Sequence, residues 1–246
     1  MARRVPQKGP LSSVIACILW FTGLTSFLFL IGVYLLISLV IAPHKVQWML
    51  LYMSRVILLF CGQHIKIHGS VPAKDGGPYI YMFNHESLLD IFLICAVTPS
   101  PVTAIGAQKQ FSMPVWGSVL RRYGAIPIDR VHLDPAIASL KTAEKALGSG
   151  TSLIISPEGT RTLTGKIGRF KKGPFHVALH TRATIIPIGL DGAYRANNKG
   201  DWRMYPGIID IRMGEPIPAK DYENLSVDAL KDMVKEKITR LAGQKT

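Results

Sequence analysis

The chain has 246 residues, a formal net charge of +13 and 48% hydrophobic residues. That length holds one catalytic-sized domain and a short appendage, and the excess of base suits anionic partners: a membrane surface, phosphorylated substrates or nucleic acid. Its three cysteines, Cys17, Cys61 and Cys95, lack metal-ligand spacing, which excludes a cysteine metal centre; they read as reduced, packed thiols in a cytoplasm-facing protein.

Charge is unevenly spread. Residues 1–63 contain no acid and five bases, Arg3, Arg4, Lys8, Lys45 and Arg55, so they carry +5 and the remainder carries +8. Between Lys8 and Lys45 there is no charged residue at all, and Leu11 to Ala42 is almost wholly apolar. As one helix this stretch measures about 48 Å, against a hydrocarbon core of about 30 Å. Pro43-His44-Lys45 breaks it, and a second apolar segment, Val46 to Gly62, follows with Arg55 near its middle. An arginine is costly at the bilayer centre and cheap at an interface. Residues 1–62 are therefore expected to form membrane-anchoring helices ahead of a catalytic domain over 63–246. A single span would separate the domain from the N-terminus; a re-entrant hairpin keeps both on one side. The excess length and Arg55 favour the hairpin, and the basic N-terminus favours the cytoplasmic side. The expected location is the cytoplasmic face of a bacterial inner membrane.

From His64 onward β-type runs alternate with helical ones. The strand candidates are 65–68, 79–83, 102–106, 125–128, 152–156, 184–190 and 208–213. The helix candidates are 86–96, 110–123, 135–148, 174–181 and 226–242. Alternation of this kind predicts an α/β fold, a mixed sheet flanked by helices, with sites in the loops where strands lead into helices.

Four segments carry the candidate chemistry. Asn84-His85-Glu86-Ser87-Leu88-Leu89-Asp90 follows the apolar run 79–83. Histidine is suited to moving protons near neutral pH. Residues five apart do not meet on a continuous helix. If the helix begins at about Glu86, with His85 at its cap, Asp90 lies one turn in and reaches back to the ring, as in a dyad. The second segment, Gly124-Ala125-Ile126-Pro127-Ile128-Asp129-Arg130, is an apolar strand ending in an acid–base pair. The third, Ser156-Pro157-Glu158-Gly159-Thr160-Arg161, is a tight turn. There Gly159 admits close backbone approach, Thr160 and Arg161 offer donors, and Glu158 accepts from a hydroxyl or orients the arginine. From Gly159 to Leu190 there is no acid but six bases: Arg161, Lys166, Arg169, Lys171, Lys172 and Arg182. The fourth, Ile185-Ile186-Pro187-Ile188, carries no chemistry, and its proline predicts an edge or strand end. Lys109 is a further candidate cation. His176 and His180, four apart on the helix expected there, read as surface or core residues rather than metal ligands.

In this order the four segments resemble the glycerolipid acyltransferase family, in particular its 1-acyl-glycerol-3-phosphate acyltransferases. Asn84, His85 and Asp90 match an Asn-His-x4-Asp motif, Gly124 through Arg130 a Gly-x-Ile-x-Ile-Asp-Arg motif, and Pro157 through Arg161 a Pro-Glu-Gly-Thr-Arg motif. Thr162 and Ser156 are mild departures. The resemblance implies transfer of a fatty acyl group from acyl-CoA or an acyl carrier protein to the 2-hydroxyl of 1-acyl-glycerol-3-phosphate, giving phosphatidic acid. It implies His85 as base and Asp90 as its orienter. Lys109, Arg130 and Arg161 are then the candidates for the acceptor phosphate, with Glu158, Gly159 and Thr160 shaping that pocket. No metal and no cofactor beyond the thioester co-substrate is expected. The expected partners are membrane lipids, the lysolipid acceptor and the acyl donor. Nucleic acid is not expected, because the bases are not interleaved with aromatics. No Gly-x-Ser-x-Gly elbow is present, so direct transfer without an acyl-enzyme is expected. The alternatives are an acyltransferase acting on another lysolipid, such as a lyso-ornithine lipid, and a membrane-anchored module that binds anionic lipid.

Overall fold

The computed structural model describes residues 8–73, 76–98, 101–129 and 132–244. The chain opens with α1 (Pro10–Val40), a short α2 (Pro43–Val46) and α3 (Trp48–Phe60). A seven-stranded sheet follows, of β1 (Gln63–His68), β2 (Tyr79–Phe83), β3 (Val102–Ala107), β4 (Ile126–Ile128), β5 (Ser152–Ile155), β6 (Thr184–Asp191) and β7 (Gly207–Met213). Its order is β1-β7-β6-β2-β5-β3-β4. Every pair is parallel except β6 with β7, so the sheet is mixed. Between the strands lie α4 (Asp90–Cys95), α5 (Trp116–Tyr123), α6 (Leu133–Gly148), α7 (Gly173–Thr181) and α8 (Ala193–Ala196), and α9 (Val227–Leu241) closes the chain.

The central strand β2 shows why the sheet is buried on both sides. All five of its residues are buried. Tyr79, Tyr81 and Phe83 enter one core with Leu58, Leu93 and Ile188. Ile80 and Met82 enter the other with Leu147, Phe175 and Val234. Successive side chains point to opposite faces of a strand, so a strand covered by helices on both faces must be apolar throughout. Complete burial of a side chain such as Leu93 is worth about 1.5–3 kcal/mol.

The layer on the first face includes the N-terminal hairpin. Ile57, Leu58 and Cys61 belong to its core, with Leu19, Trp20, Phe27 and Leu30 packed against it. The hairpin turns back on itself: the Thr22 hydroxyl donates to the Phe60 carbonyl at 2.7 Å, while Tyr34 clusters with Val46 and Met53. α1 is fastened near both ends. Arg203 Nε donates to Ser13 Oγ at 3.0 Å and Trp20 Nε1 to the Trp202 carbonyl at 2.8 Å. At the other end Arg122 donates to both oxygens of Ser38. The buried positions Ala16, Gly23, Ile31, Tyr34 and Ser38 form one stripe at helical spacing. The opposite face leaves Leu11, Phe21, Phe29, Leu36 and Leu39 exposed, Phe21 by 72%. α1 is thus long and apolar enough to cross a membrane, yet it runs along the sheet domain.

Two expectations meet different outcomes here. Arg55 is kept out of the apolar face, since its Nε donates to the Ala96 carbonyl at 3.0 Å, at the end of α4. Pro187, expected at an edge or strand end, lies inside the internal strand β6, opposite Met82 of β2. The Pro187 carbonyl accepts from Gly214 N, one residue past the last β6–β7 pair, Ile188 with Met213. Its nitrogen points to the same side as its carbonyl, just where the ladder ends, so the missing donor breaks no pairing.

Candidate active site

The carboxyl end of β2 sits between β6 and β5, and the chain leaves it without forming helix until Asp90. Residues 84–87 form an irregular turn rather than the helical turn expected from about Glu86. Buried Asn84 fastens the start of that turn. Its Nδ2 donates to the Leu190 carbonyl at 3.0 Å and its Oδ1 accepts from Leu190 N at 2.8 Å, so the side chain completes a ladder with β6. Glu86, also buried, accepts through Oε2 from Tyr194 N at 3.0 Å.

Asp90 is fully buried at the first turn of α4. Its Oδ2 gathers three donors: His85 Nδ1 at 2.6 Å, Glu86 N at 2.7 Å and Ser87 N at 2.9 Å. A carboxylate at a helix start is favoured by the exposed backbone N–H groups and the helix dipole. Because Nδ1–H donates to the Asp90 carboxylate, the lone pair of the neutral ring lies on Nε2. That nitrogen has no protein partner among the described residues. The imidazole is held edge-on to Phe83, with ring centroids 6.0 Å apart. The result is an oriented base whose second nitrogen is open to a proton donor.

The turn after β5 wraps this histidine. Glu158 is buried, with Oε1 accepting from His85 N at 2.8 Å and Oε2 from Gly168 N at 2.8 Å. Thr162 N donates to the His85 carbonyl at 2.9 Å, so the backbone of His85 is gripped on both sides. Burial pushes the Glu158 carboxyl above its usual range, and the two backbone N–H groups partly offset that rise. Both oxygens face backbone donors, so Glu158 does not orient Arg161. Gly159 sits at φ 70°, in the left-handed region that suits glycine, and sharpens the turn. Thr160 is exposed, and Arg161 is half-buried without an acid partner among the described residues.

The cationic field is narrower than the sequence implies. Lys172 is paired with Asp228 at 2.7 Å and Arg182 with Glu223 at 3.6 Å. Arg161, Lys166, Arg169 and Lys171 have no acid partner among the described residues. Lys109 is exposed on a short 3-10 turn after β3, at the same carboxyl edge and two strands from β2, roughly 10 Å at ordinary strand spacing. Arg130 lies outside the described residues. His180 is exposed and bonds Glu144 at 3.0 Å; among the described residues no cluster of three or more ligating side chains could hold a metal.

The sequence reading overlooked Asn84 and Glu86 as supports of the turn. The signal was present, since two polar residues directly follow an all-buried strand. A polar group there must find internal partners.

Comparison with known proteins agrees with this geometry. The family model described as acyltransferase matches residues 64–191, a little over half of the chain. A 1-acyl-sn-glycerol-3-phosphate acyltransferase of Cocos nucifera is 35% identical over 182 residues, 74% of this chain and 58% of that protein. One from Limnanthes douglasii is 33% identical over 181 residues, 73% of this chain and 63% of the relative. The human 1-acyl-sn-glycerol-3-phosphate acyltransferase alpha is 27% identical over 175 residues, 71% and 62% of the two chains. The chain thus spans less than two thirds of the length of these relatives. The crystal structure of the 1-acyl-sn-glycerophosphate (LPA) acyltransferase PlsC from Thermotoga maritima superposes with a TM-score of 0.83, covering 94% of this chain and 96% of that one. At 23% identity that likeness concerns the fold, a mixed α/β sheet behind an apolar helical hairpin. With the matched segment enclosing the His85–Asp90 pair and the turn that grips it, the chain belongs to the acyltransferase family.

Proposed function

We propose that the chain transfers a fatty acyl group from a thioester, acyl-CoA or acyl carrier protein, to the 2-hydroxyl of 1-acyl-glycerol-3-phosphate. The observation that carries this reading is the bond of His85 Nδ1 to fully buried Asp90, 2.6 Å long, beside a loop whose cations have no acid partner among the described residues. The relatives' names supply the acceptor. His85 Nε2 takes the proton of the acceptor hydroxyl as its oxygen attacks the thioester carbonyl carbon. Asp90 stabilises the resulting imidazolium. Collapse of the tetrahedral intermediate breaks the C–S bond, and the imidazolium proton passes to the departing thiolate. One ester forms, one thioester is consumed, and the base is restored. The co-substrate thioester is the only added group this chemistry uses. Arg161 is the first candidate for the acceptor phosphate, because its fork matches phosphate oxygens. Lys109 and Arg130 are candidates for the same role.

The same reading assigns residues 1–62 to membrane anchoring and 63–246 to catalysis. With α1 fastened along the domain at Ser13 and Ser38, the outward apolar face lies in the bilayer and the catalytic edge stays on the cytoplasmic side, where thioester donors are found. Wild-type protein should then resist salt extraction and yield to detergent. Phe21→Glu with Leu39→Glu should release a folded protein, and a probe near Lys171 should resist labelling from outside intact cells. Efficient outside labelling would make α1 a simple span.

The direct test is a panel of acyl donors against a panel of lysolipids with purified protein. Transfer to 1-acyl-glycerol-3-phosphate above all others supports the proposal. Preference for another lysolipid, or anionic-lipid binding without turnover, replaces it.

A further inference from the structure

We infer that Glu158 is a positioning residue that couples His85 to the basic loop 159–171, and that it is not a ligand of the substrate. The inference rests on the proposed function for what the loop binds, and on geometry for the coupling itself.

Each Glu158 oxygen has a backbone donor. Oε1 holds His85 N and Oε2 holds Gly168 N, both at 2.8 Å. With Glu158 6% exposed, little of it is left for a bound molecule to touch. Gly168 closes the far end of the loop that carries Arg161 and Lys166. The loop is pinned at its base, where Lys171 N donates to the Pro157 carbonyl at 2.8 Å, and at its middle, where Thr162 N donates to the His85 carbonyl at 2.9 Å. An anion drawn to Arg161 and Lys166 therefore acts on a segment that reaches the backbone of the base twice, directly at Thr162 and through Glu158 at Gly168, and that is held elsewhere at Leu163 by the Tyr194 hydroxyl and at Gly165 and Ile167 by Gln244.

The residue type fits this role. Two converging N–H donors need two acceptor oxygens, which a carboxylate has and an amide lacks. A buried anion is costly unless hydrogen-bonded, and here both oxygens are satisfied. The space beside it is set for glycine, since a Cβ on Gly168 would lie 3.2 Å from Glu158 Oε2. A side chain there crowds the carboxylate, which must give by a few tenths of an ångström.

Glu158→Gln separates coupling from direct binding. The amide oxygen can serve only one of the two donors, while the volume is kept. Coupling predicts that kcat on a phosphorylated lysolipid falls about 10- to 100-fold, the scale of a misplaced catalytic group, with the acceptor KM within about threefold. It also predicts that the wild-type preference in kcat for a phosphorylated over a neutral acceptor, 1-monoacylglycerol, shrinks. Gly168→Ala, which keeps both the Glu158 and His85 side chains but crowds the carboxylate, should move both quantities the same way and less far. A rise in acceptor KM at constant kcat would make Glu158 a ligand and overturn the inference. An equal loss on both acceptors, with the preference intact, would make it a purely structural residue and also overturn it. A readout independent of turnover is the imidazole NMR signal of His85 in detergent-solubilised protein titrated with glycerol 3-phosphate. Wild type should show a shift that Glu158→Gln lacks while glycerol 3-phosphate still perturbs the Arg161 signals. An unchanged His85 response in Glu158→Gln sinks the coupling. Absence of acyl transfer by wild type sinks the proposed function instead, and leaves the NMR comparison to decide the coupling.

Discussion

Two histidine–carboxylate pairs in this molecule have nearly the same bond and very different surroundings. His85 Nδ1 lies 2.6 Å from Asp90 Oδ2, and His132 Nδ1 lies 2.8 Å from Asp129 Oδ2. The side chains are 26% and 0% exposed in the first pair and 72% and 29% in the second. In the first, Asp90 is fixed by two further backbone donors, and His85 is gripped through both its N–H and its carbonyl. In the second, Asp129 also accepts from His132 N, so the pair is a local contact in the exposed turn that leads into α6. The bond length therefore says little about function. A base is useful when its partner is dry and its backbone cannot drift, because fixed dipoles and charges act more strongly away from water.

The sharpest way to break this comparison is to remove each histidine. His85→Ala should lower acyl transfer by at least the roughly 10²–10⁴-fold that general-base catalysis supplies, with the protein still folded. His132→Ala should leave kcat within about twofold, as ordinary surface substitutions do. A steady-state assay with circular dichroism as the folding control decides it. Near-normal turnover in His85→Ala would end the mechanism.

Next in size is the partner. Asp90→Asn keeps an acceptor oxygen for Glu86 N and Ser87 N but presents an amide or a competing acceptor to the imidazole. The ring loses its tautomer and its counter-charge, and kcat should fall about 10²- to 10³-fold, somewhat less than for His85→Ala. Acceptor KM should change little, since Asp90 is buried behind the histidine. A KM effect without a kcat effect would place Asp90 at the substrate instead.

A smaller effect belongs to the cation beside the dyad. Arg161→Ala should weaken use of a phosphorylated acceptor by about 2–4 kcal/mol in kcat/KM if the charge pair is desolvated. Arg161→Lys should recover part, because the charge returns without the fork. Lys172→Ala, which breaks only a surface pair with Asp228, should cost acceptor use almost nothing. If donor KM rose in place of acceptor KM, the phosphate assignment of Arg161 would be wrong.

Much of this was legible in the sequence. Each of the seven strand candidates corresponds to a strand: β2 and β5 are apolar because both faces are covered, while β1 and β7 alternate apolar with polar residues. The start of α4 was not legible. Asp90 can bond His85 either from within a helix begun at Glu86 or from its own cap position, and spacing does not separate the two. The role of Glu158 was hidden for a related reason. An acid next to Gly, Thr and Arg reads as an acceptor for a hydroxyl or as a partner of the arginine. Only the fold brings His85 N and Gly168 N to its two oxygens, from 73 and 10 residues away along the chain. The apolar length of α1 was plain, but its fastening to Arg203 and Arg122 rests on contacts distant in sequence.

The smallest predicted effect concerns a carboxylate whose partners are cations and hydroxyls in place of a histidine. Asp201 lies in the loop that fastens α1. It accepts from Arg203 N and Arg203 Nη1 at 3.1 Å and from the Tyr205 hydroxyl at 3.0 Å, with Lys8 Nζ 3.7 Å away. Burial pushes its carboxyl up, but these donors and charges outweigh burial and hold it below the usual range. A carboxyl lowered in the folded state stabilises that state above its unfolded pKa of about 3.9, and the contribution is lost as pH falls through the lower folded value. Asp201→Asn should therefore melt earlier than wild type at pH 7 and pH 5 by the same few degrees, at about 2–4 °C per kcal/mol for a chain of this size. The two should converge as the pH drops below about 4, where the unfolded-state carboxyl is already protonated and the folded one follows at its lower value. Arg203→Ala should reproduce the shift at neutral pH, because it removes the same ion pair together with the bond to Ser13. A difference between Asp201→Asn and wild type that grew in acid would carry the wrong sign, and the loop would then hold α1 by packing alone.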